Sequence, residues 1–86
     1  MEELFVSVGH SVDMRCRVSG LPEPTVSWYR NGEPYTFLTH PNIRLEDRNQ
    51  ILSVSNAQLV DIGVYRCTAS NMAGNSSKEF LLNVQG

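Results

Sequence analysis

The sequence lacks the features that mark membrane-spanning, nucleic-acid-binding or disordered chains. No apolar run approaches the roughly 20 residues that a membrane-spanning helix needs. The seven basic and nine acidic residues are scattered, so there is no basic stripe of the kind that binds nucleic acid or an acidic membrane surface. With 41% hydrophobic and 19% charged residues, the composition is typical of a folded globular domain. We therefore expect neither a nucleic-acid partner nor direct membrane insertion.

Cysteine and histidine are also scarce, which argues against a metal or redox site. The chain has two cysteines and two histidines, His10 and His40, in separate loop-like segments, whereas a structural zinc site needs four ligands that meet. Cys16 and Cys67 lack the CxxC spacing of redox pairs. No combination of nucleophile, base and oxyanion donors can be assembled. The sequence predicts no metal, no cofactor and no enzymatic activity, with both histidines solvated.

The length of 86 residues fits a single domain covering residues 1–86. A chain of this size buries only about 60 to 65% of its unfolded surface, so a covalent link would add much to its stability. The amino terminus MEELFVSV carries acids where a signal peptide carries bases, and it reaches a strand-like run at once. We interpret the chain as one module excised from a longer protein.

Apolar and polar residues alternate in several short segments. In residues 12–18, Val12, Met14, Cys16 and Val18 share one face and polar residues occupy the other, which is typical of a half-buried antiparallel strand. The same alternation recurs in residues 25–30, 51–55, 64–70 and 78–84. Each segment contributes two to four apolar residues to one face.

Turn signals separate these segments. The pair Asn31-Gly32 is typical of a tight hairpin turn and predicts a short strand at residues 33–37. Helical spacing persists only for a single turn, within residues 57–63. About seven short strands with turns between them predict an all-β fold, a two-sheet antiparallel Greek-key sandwich.

The segment DIGVYRC, residues 61–67, contains the second cysteine. In a sandwich of this kind Cys16 and Cys67 lie on inward faces of opposite sheets, and Trp28 points inward from a strand between them in sequence. The pattern therefore predicts a disulfide between Cys16 and Cys67 that packs on the indole ring of Trp28. Closing a loop of about 50 residues stabilises a protein by roughly 4 kcal/mol in the chain-entropy model.

The remaining residues of this segment fit an architectural role. Tyr65 stands where a buried ring can donate its hydroxyl to the backbone near Asp61. Gly63 removes a side chain where the turn is tightest. The segment is therefore interpreted as part of the framework rather than as a catalytic site.

Together these residues resemble the characteristic positions of an immunoglobulin domain. The positions are Cys16, Trp28, Leu52, Asp61, Gly63, Tyr65 and Cys67. The stretches VGHSVDMRC, SGLPEPTVSWYRNGEP and ASNMAG are similar to those of the intermediate, or I-set, class, as found in tandem extracellular modules of hemicentin-like matrix proteins and neural adhesion proteins. One departure is that the usual proline-containing first strand is absent or truncated before Leu4, so an incomplete first edge is expected.

The resemblance also implies an ion pair between Asp61 and a basic residue at the start of the fourth strand of the family. Arg44 is the candidate, with Arg48 or no partner as alternatives. Separately, Asn75-Ser76-Ser77 satisfies the N-x-S/T rule, so Asn75 is a candidate glycosylation site if the protein is secreted.

An apolar surface is predicted beside one sheet edge. The stretch EPYTFLTHP brings Tyr35, Phe37 and Leu38 close together in sequence. Tyr35 is expected to close the core, and the other two either are exposed or form a small cluster under the loop. All three are counted at the edge of a candidate partner surface.

The rest of that surface comes from residues that alternate with the core set. Tyr29, Val64 and Leu81 share the outer face of one sheet, and Arg30 and Arg66 are expected to border them.

The function predicted is that of a non-catalytic binding and spacer module in a secreted matrix protein or a cell-surface adhesion protein or receptor. Its partners would be proteins: neighbouring modules, a second copy, or a cell-surface or matrix ligand. The alternative is an intracellular scaffold in muscle or cytoskeleton, titin-like or palladin-like, in which the cysteines would be thiols and Asn75 unmodified.

Overall fold

The computed structural model of the protein describes residues 1–17, 20, 22–36, 38 and 40–86. In these ranges the strands are β1 (Glu2–Ser7), β2 (Val12–Arg15), β3 (Thr25–Arg30), β4 (Glu33–Pro34), β5 (Ile43–Glu46), β6 (Ile51–Val54), β7 (Gly63–Asn71) and β8 (Gly74–Gln85). A single 3-10 turn, Leu59–Asp61, precedes β7, as the sequence predicts. The predicted all-β fold is confirmed. None of the helical structure described is long and apolar enough to cross a bilayer.

The strands form two facing sheets. The five-stranded sheet has the order β1-β8-β7-β3-β4, and the three-stranded sheet has the order β2-β6-β5. Neighbouring strands are antiparallel except β1 and β8, which run parallel from Glu2↔Phe80 to Ser7↔Gln85. The non-sequential order in both sheets is that of the predicted sandwich.

The core lies between the sheets and consists of the inward residues of nearly every strand. Among the described residues, the buried apolar ones are Met14, Cys16, Val26, Trp28, Ile43, Leu52, Val54, Ala57, Tyr65, Cys67, Ala69, Phe80, Leu82 and Val84. Cys16 and Cys67 form a disulfide that joins the two sheets, with their Cα atoms 6.4 Å apart. Trp28 pairs with Cys67 across β3 and β7 and stacks on Phe80 with a centroid distance of 6.0 Å. The predicted bridge is thus in place beside the indole.

The prediction of an incomplete first edge has a different outcome in each sheet. The expectation of an incomplete edge is wrong for the five-stranded sheet, because β1 has six residues and packs Leu4 and Val6 against the core. In the three-stranded sheet β2 is outermost, and no described strand pairs with its outer side.

The Asn31-Gly32 hairpin is confirmed. Both residues have positive φ, 50° and 85°, which is the backbone conformation that this pair favours in a two-residue turn. The returning strand β4 is shorter than predicted and ends at Pro34, because Tyr35 turns inward. Phe37, at the far end of the predicted strand, lies outside the described residues.

Candidate functional site

The turn before β7 is held by hydrogen bonds that converge on Tyr65. The Tyr65 hydroxyl donates to the Asp61 carbonyl at 2.6 Å and accepts from the Arg30 guanidinium at 3.1 Å. Arg30 also donates to the carbonyls of Val60 and Ile62, the latter at 3.4 Å. Burial raises the pKa of the Tyr65 phenol, and Arg30 partly opposes this shift. Arg30 therefore ties β3 to the turn on the face of Tyr65, so the prediction that it borders the outer-face surface of Tyr29 is wrong.

Replacing Tyr65 by phenylalanine is expected to lower the free energy of unfolding by about 1 to 3 kcal/mol, because the Asp61 carbonyl loses its buried donor. Urea denaturation followed by Trp28 fluorescence measures the change. Tyr29→Phe is the matched control, since no hydrogen bond of its hydroxyl lies within the described part of the chain. Equal stability of Tyr65→Phe and the control would show that the corner hydrogen bond adds nothing.

The predicted ion pair between Arg44 and Asp61 is wrong. Asp61 is 2% exposed, and its carboxylate accepts from the Asn42 amide at 3.0 Å and the Gln58 backbone N–H at 2.8 Å. Arg44 points to solvent, because Ile43 before it and Leu45 after it face the core and side chains alternate along a strand. The side chain of this strand region that contacts Asp61 is the amide of Asn42, two residues before Arg44. Arg48, the alternative, pairs with Glu23 at 2.8 Å.

Gly63 is required by a neighbouring side chain rather than by its own backbone angle. A Cβ atom at Gly63 would lie 2.8 Å from Oδ1 of Asn31. That oxygen accepts from the Val64 backbone N–H at 2.9 Å, so it is held close to the glycine. Asn31 thus both forms the hairpin turn and caps the start of β7, a role that the sequence did not reveal.

The outer face of the five-stranded sheet carries the predicted partner surface. Tyr29, Arg66 and Glu79 occupy one row across β3, β7 and β8, and Val64 and Leu81 occupy the next. The Arg66 guanidinium lies 5.1 Å from the centroid of the Tyr29 ring, within cation–π distance. Tyr29, Val64 and Leu81 are half-buried, so part of each side chain reaches solvent.

A residue of β1 extends this surface. Phe5 is 56% exposed and lies on the same face as Leu81, because its neighbours Leu4 and Val6 face the core. A phenylalanine between two inward residues of a terminal strand is the signal that could have identified it. We call Tyr29, Val64, Arg66 and Leu81 together with Phe5 the contact patch.

The aromatic loop contributes less to this surface than predicted. Tyr35 packs against the core and donates its hydroxyl to the Ile43 carbonyl at 2.6 Å, so it closes the core and does not edge the patch. Burial raises the pKa of the Tyr35 phenol. Leu38 is 88% exposed, which rules out its place in a cluster under the loop. The structure of Phe37 lies outside the described residues.

The histidines and the sequon asparagine lie in different surroundings. His10 is exposed in the turn between β1 and β2, whereas His40 is half-buried with its ring 6.5 Å from that of Tyr35, so the prediction of a solvent-exposed histidine holds for His10 and not for His40. Within the described ranges, no three His, Cys, Asp or Glu side chains come together as a metal site. Asn75 is exposed near the start of β8.

Comparison with known proteins identifies one domain family. A family model described as the immunoglobulin I-set domain matches residues 1–84. Hemicentin-1 of Mus musculus is 43% identical over 82 residues, which is 95% of this chain but 1% of hemicentin-1. The striated muscle preferentially expressed protein kinase of Danio rerio is 40% identical over 84 residues, 98% of this chain and 3% of that protein. The chain thus spans a very small share of these relatives.

A solved structure gives the same picture at the level of the fold. The crystal structure of the titin M3 domain is similar with a TM-score of 0.87 and 33% identity, covering 99% of this chain and 88% of that chain. The relatives therefore include proteins from outside the cell and from muscle.

Proposed function

Since the chain belongs to the immunoglobulin I-set family, we propose that it is a non-catalytic protein-binding and spacer module of a secreted matrix protein or a cell-surface adhesion protein or receptor. Modules of this family occur in multidomain proteins, both extracellular ones such as hemicentin and intracellular muscle proteins such as titin. They generally serve as binding modules rather than catalysts. The extracellular location and the binding role of this particular module are our proposals.

The observation that carries the extracellular proposal is the disulfide between Cys16 and Cys67. Disulfides persist in secreted and cell-surface proteins and are rare in the cytosol, where thiols are kept reduced. The similarity to hemicentin-1 supports the same location.

The contact patch supports the binding role. Strands β3, β7 and β8 hold its side chains on a rigid surface, so little conformational entropy is lost when a partner docks. Tyrosine and arginine are enriched among residues that dominate binding energy, and the stacked pair Tyr29 and Arg66 combines both. The occupant we propose is another protein surface, either a neighbouring module of the parent chain or a second copy.

Replacing Tyr29 and Leu81 together by serine is expected to weaken binding at least tenfold, or about 1.4 kcal/mol, while the melting temperature changes by only a few degrees. Surface plasmon resonance against the neighbouring modules of the parent protein, and sedimentation for a second copy, measure the effect. Ile51→Ser is the matched control, because Ile51 is a half-buried residue of the opposite sheet.

Two results would contradict this prediction. Unfolding of the Tyr29 and Leu81 variant, with the control intact, would assign the two side chains to the core. Unchanged binding with unchanged stability would leave the module as a spacer alone.

A muscle scaffold is the second candidate function. The 40% identity to the striated muscle preferentially expressed protein kinase and the likeness to titin M3 support it. In the cytosol the two cysteines would be thiols.

Thiol alkylation of the protein isolated from its natural source distinguishes the two candidates. Because both cysteines are buried in the fold, the reaction is run in denaturant, where the extracellular function predicts that Cys16 and Cys67 resist alkylation until a reductant is added. Complete alkylation without a reductant would favour the scaffold.

A further inference from the structure

The outer face of the five-stranded sheet is divided in two by residue type. One half is the contact patch. The other half is lined by small hydroxyl side chains, namely Thr25, Ser27, Thr68, Ser70 and Ser77, which the register places side by side on β3, β7 and β8. Four of these five are exposed and Thr68 is half-buried. Among the described residues in these rows, none offers a large apolar side chain to a protein partner, but many carry hydrogen-bonding groups.

Asn75 stands at the end of the hydroxyl-lined half. It forms a row with Ser70 and Thr25, and it shares the outer face with Ser77 because side chains alternate along β8. Its side chain is exposed, and among the described residues it makes no side-chain hydrogen bond. Of the asparagines in the sequence, only Asn75 is followed by the x-S/T pattern of a glycosylation acceptor.

We propose that Asn75 carries an N-linked glycan that covers the hydroxyl-lined half and leaves the contact patch open. The proposal rests on the proposed extracellular function, because the modification occurs in the secretory pathway. The donor is a lipid-diphosphate-linked oligosaccharide. The Asn75 amide nitrogen forms a bond to C1 of the first sugar, the bond from C1 to the diphosphate oxygen breaks, the lipid diphosphate leaves, and the amide proton passes to a base of the transferase.

The spacing along β8 separates the glycan from the contact patch. Along one uninterrupted strand, Asn75 lies four residues from Glu79, whose row holds Tyr29 and Arg66, and six residues from Leu81. These separations are about 14 Å and about 20 Å at roughly 3.4 Å per residue. Sugar hydroxyls near Asn75 would meet serine and threonine hydroxyls, which can donate and accept hydrogen bonds. A glycan at this position therefore directs protein contacts toward Tyr29, Arg66 and Phe5.

One tryptic peptide tests this proposal and the proposed function independently. Cleavage after Arg66 and Lys78 releases residues 67–78, which contain Cys67, Asn75 and the non-acceptor Asn71. In protein from the natural source, we expect this peptide to be joined to residues 16–17 before reduction. We also expect peptide-N-glycosidase in heavy-oxygen water to convert Asn75, and not Asn71, to labelled aspartate. A disulfide-linked peptide without label would overturn the glycan and leave the extracellular function standing. A free thiol without label would overturn both.

Variants of the full-length protein secreted from cultured animal cells test the acceptor and the division of the face. Asn75→Gln and Ser77→Ala are expected to abolish the glycan, whereas Ser76→Ala keeps it because the middle position tolerates any residue but proline. Hydroxyl-radical labelling of Tyr29 is expected to be equal in wild type and Asn75→Gln. Retention of the glycan in Asn75→Gln or Ser77→Ala would overturn the assignment to Asn75, and protection of Tyr29 by the glycan would overturn the division of the face.

Discussion

Replacing Cys16 and Cys67 together by alanine is expected to lower the free energy of unfolding by about 4 kcal/mol. The two residues lie 51 positions apart, so without the bond the unfolded chain regains the freedom of a long loop. The bond also joins the two sheets in the core, where Trp28 lies beside it. The loss would be a large share of the 5 to 15 kcal/mol typical of a domain.

Urea denaturation followed by fluorescence measures this change, since Trp28 is the single tryptophan of the sequence and is buried. Reduction of the wild type gives an independent estimate that leaves both sulfur atoms in the core. Met72→Ala is the control, because Met72 is 91% exposed and its loss is expected to change stability by less than about 0.5 kcal/mol. A loss below about 1 kcal/mol on reduction would mean that the bridge does little to restrict the unfolded chain.

The size of this effect bears on the two candidate functions. A module that depends on the disulfide for about 4 kcal/mol would keep only a thin margin in the cytosol. A module that tolerates reduction would be equally suited to a muscle cell.

Replacing Asn42 by aspartate is expected to lower the free energy of unfolding by about 3 kcal/mol at neutral pH. The change removes the amide that donates to the buried Asp61 carboxylate at 3.0 Å and sets a second carboxylate against it. It also removes the amide donor to the Ser55 carbonyl at 3.2 Å. Thermal and urea unfolding of the variant measure the change.

Two further variants calibrate this prediction. Asn42→Ala removes the donor without adding charge and is expected to cost about 1 to 3 kcal/mol. Arg44→Ala is expected to stay within about 0.5 kcal/mol, because Arg44 is exposed and directed away from Asp61. A cost for Arg44→Ala as large as that for Asn42→Asp would show that Asp61 depends on the arginine after all.

The sandwich and its core were predictable because the alternation of apolar residues is a local signal. Cys16, Trp28 and Cys67 each stand at an inward position of such a pattern, and Asn31-Gly32 specifies its own turn. Strand β5 was less evident, since only Ile43 and Leu45 mark its inward face. Two apolar residues do not distinguish a strand from a loop.

The partners of Asp61 and Tyr65 were harder to predict, because they come from distant parts of the chain. The preference for a charged partner of Asp61 favoured Arg44, yet the alternation along β5 turns that side chain outward and leaves Asn42 in reach. Arg30 contacts Tyr65 from 35 residues away, and no sequence spacing encodes such a contact. The positions of Tyr29 and Leu81 on the outer face could be predicted, because these residues alternate with core residues along their strands.

The parallel pairing of β1 with β8 determines how the module would respond to tension. The two strands begin at the same end, Glu2 beside Phe80, and finish at the other, Ser7 beside Gln85. A pull toward the amino terminus on β1 and toward the carboxyl terminus on β8 therefore slides the strands past each other, and it loads all their hydrogen bonds at once instead of opening them one by one. In a tandem array this body, 43 Å along its longest axis, would transmit force as a stiff link.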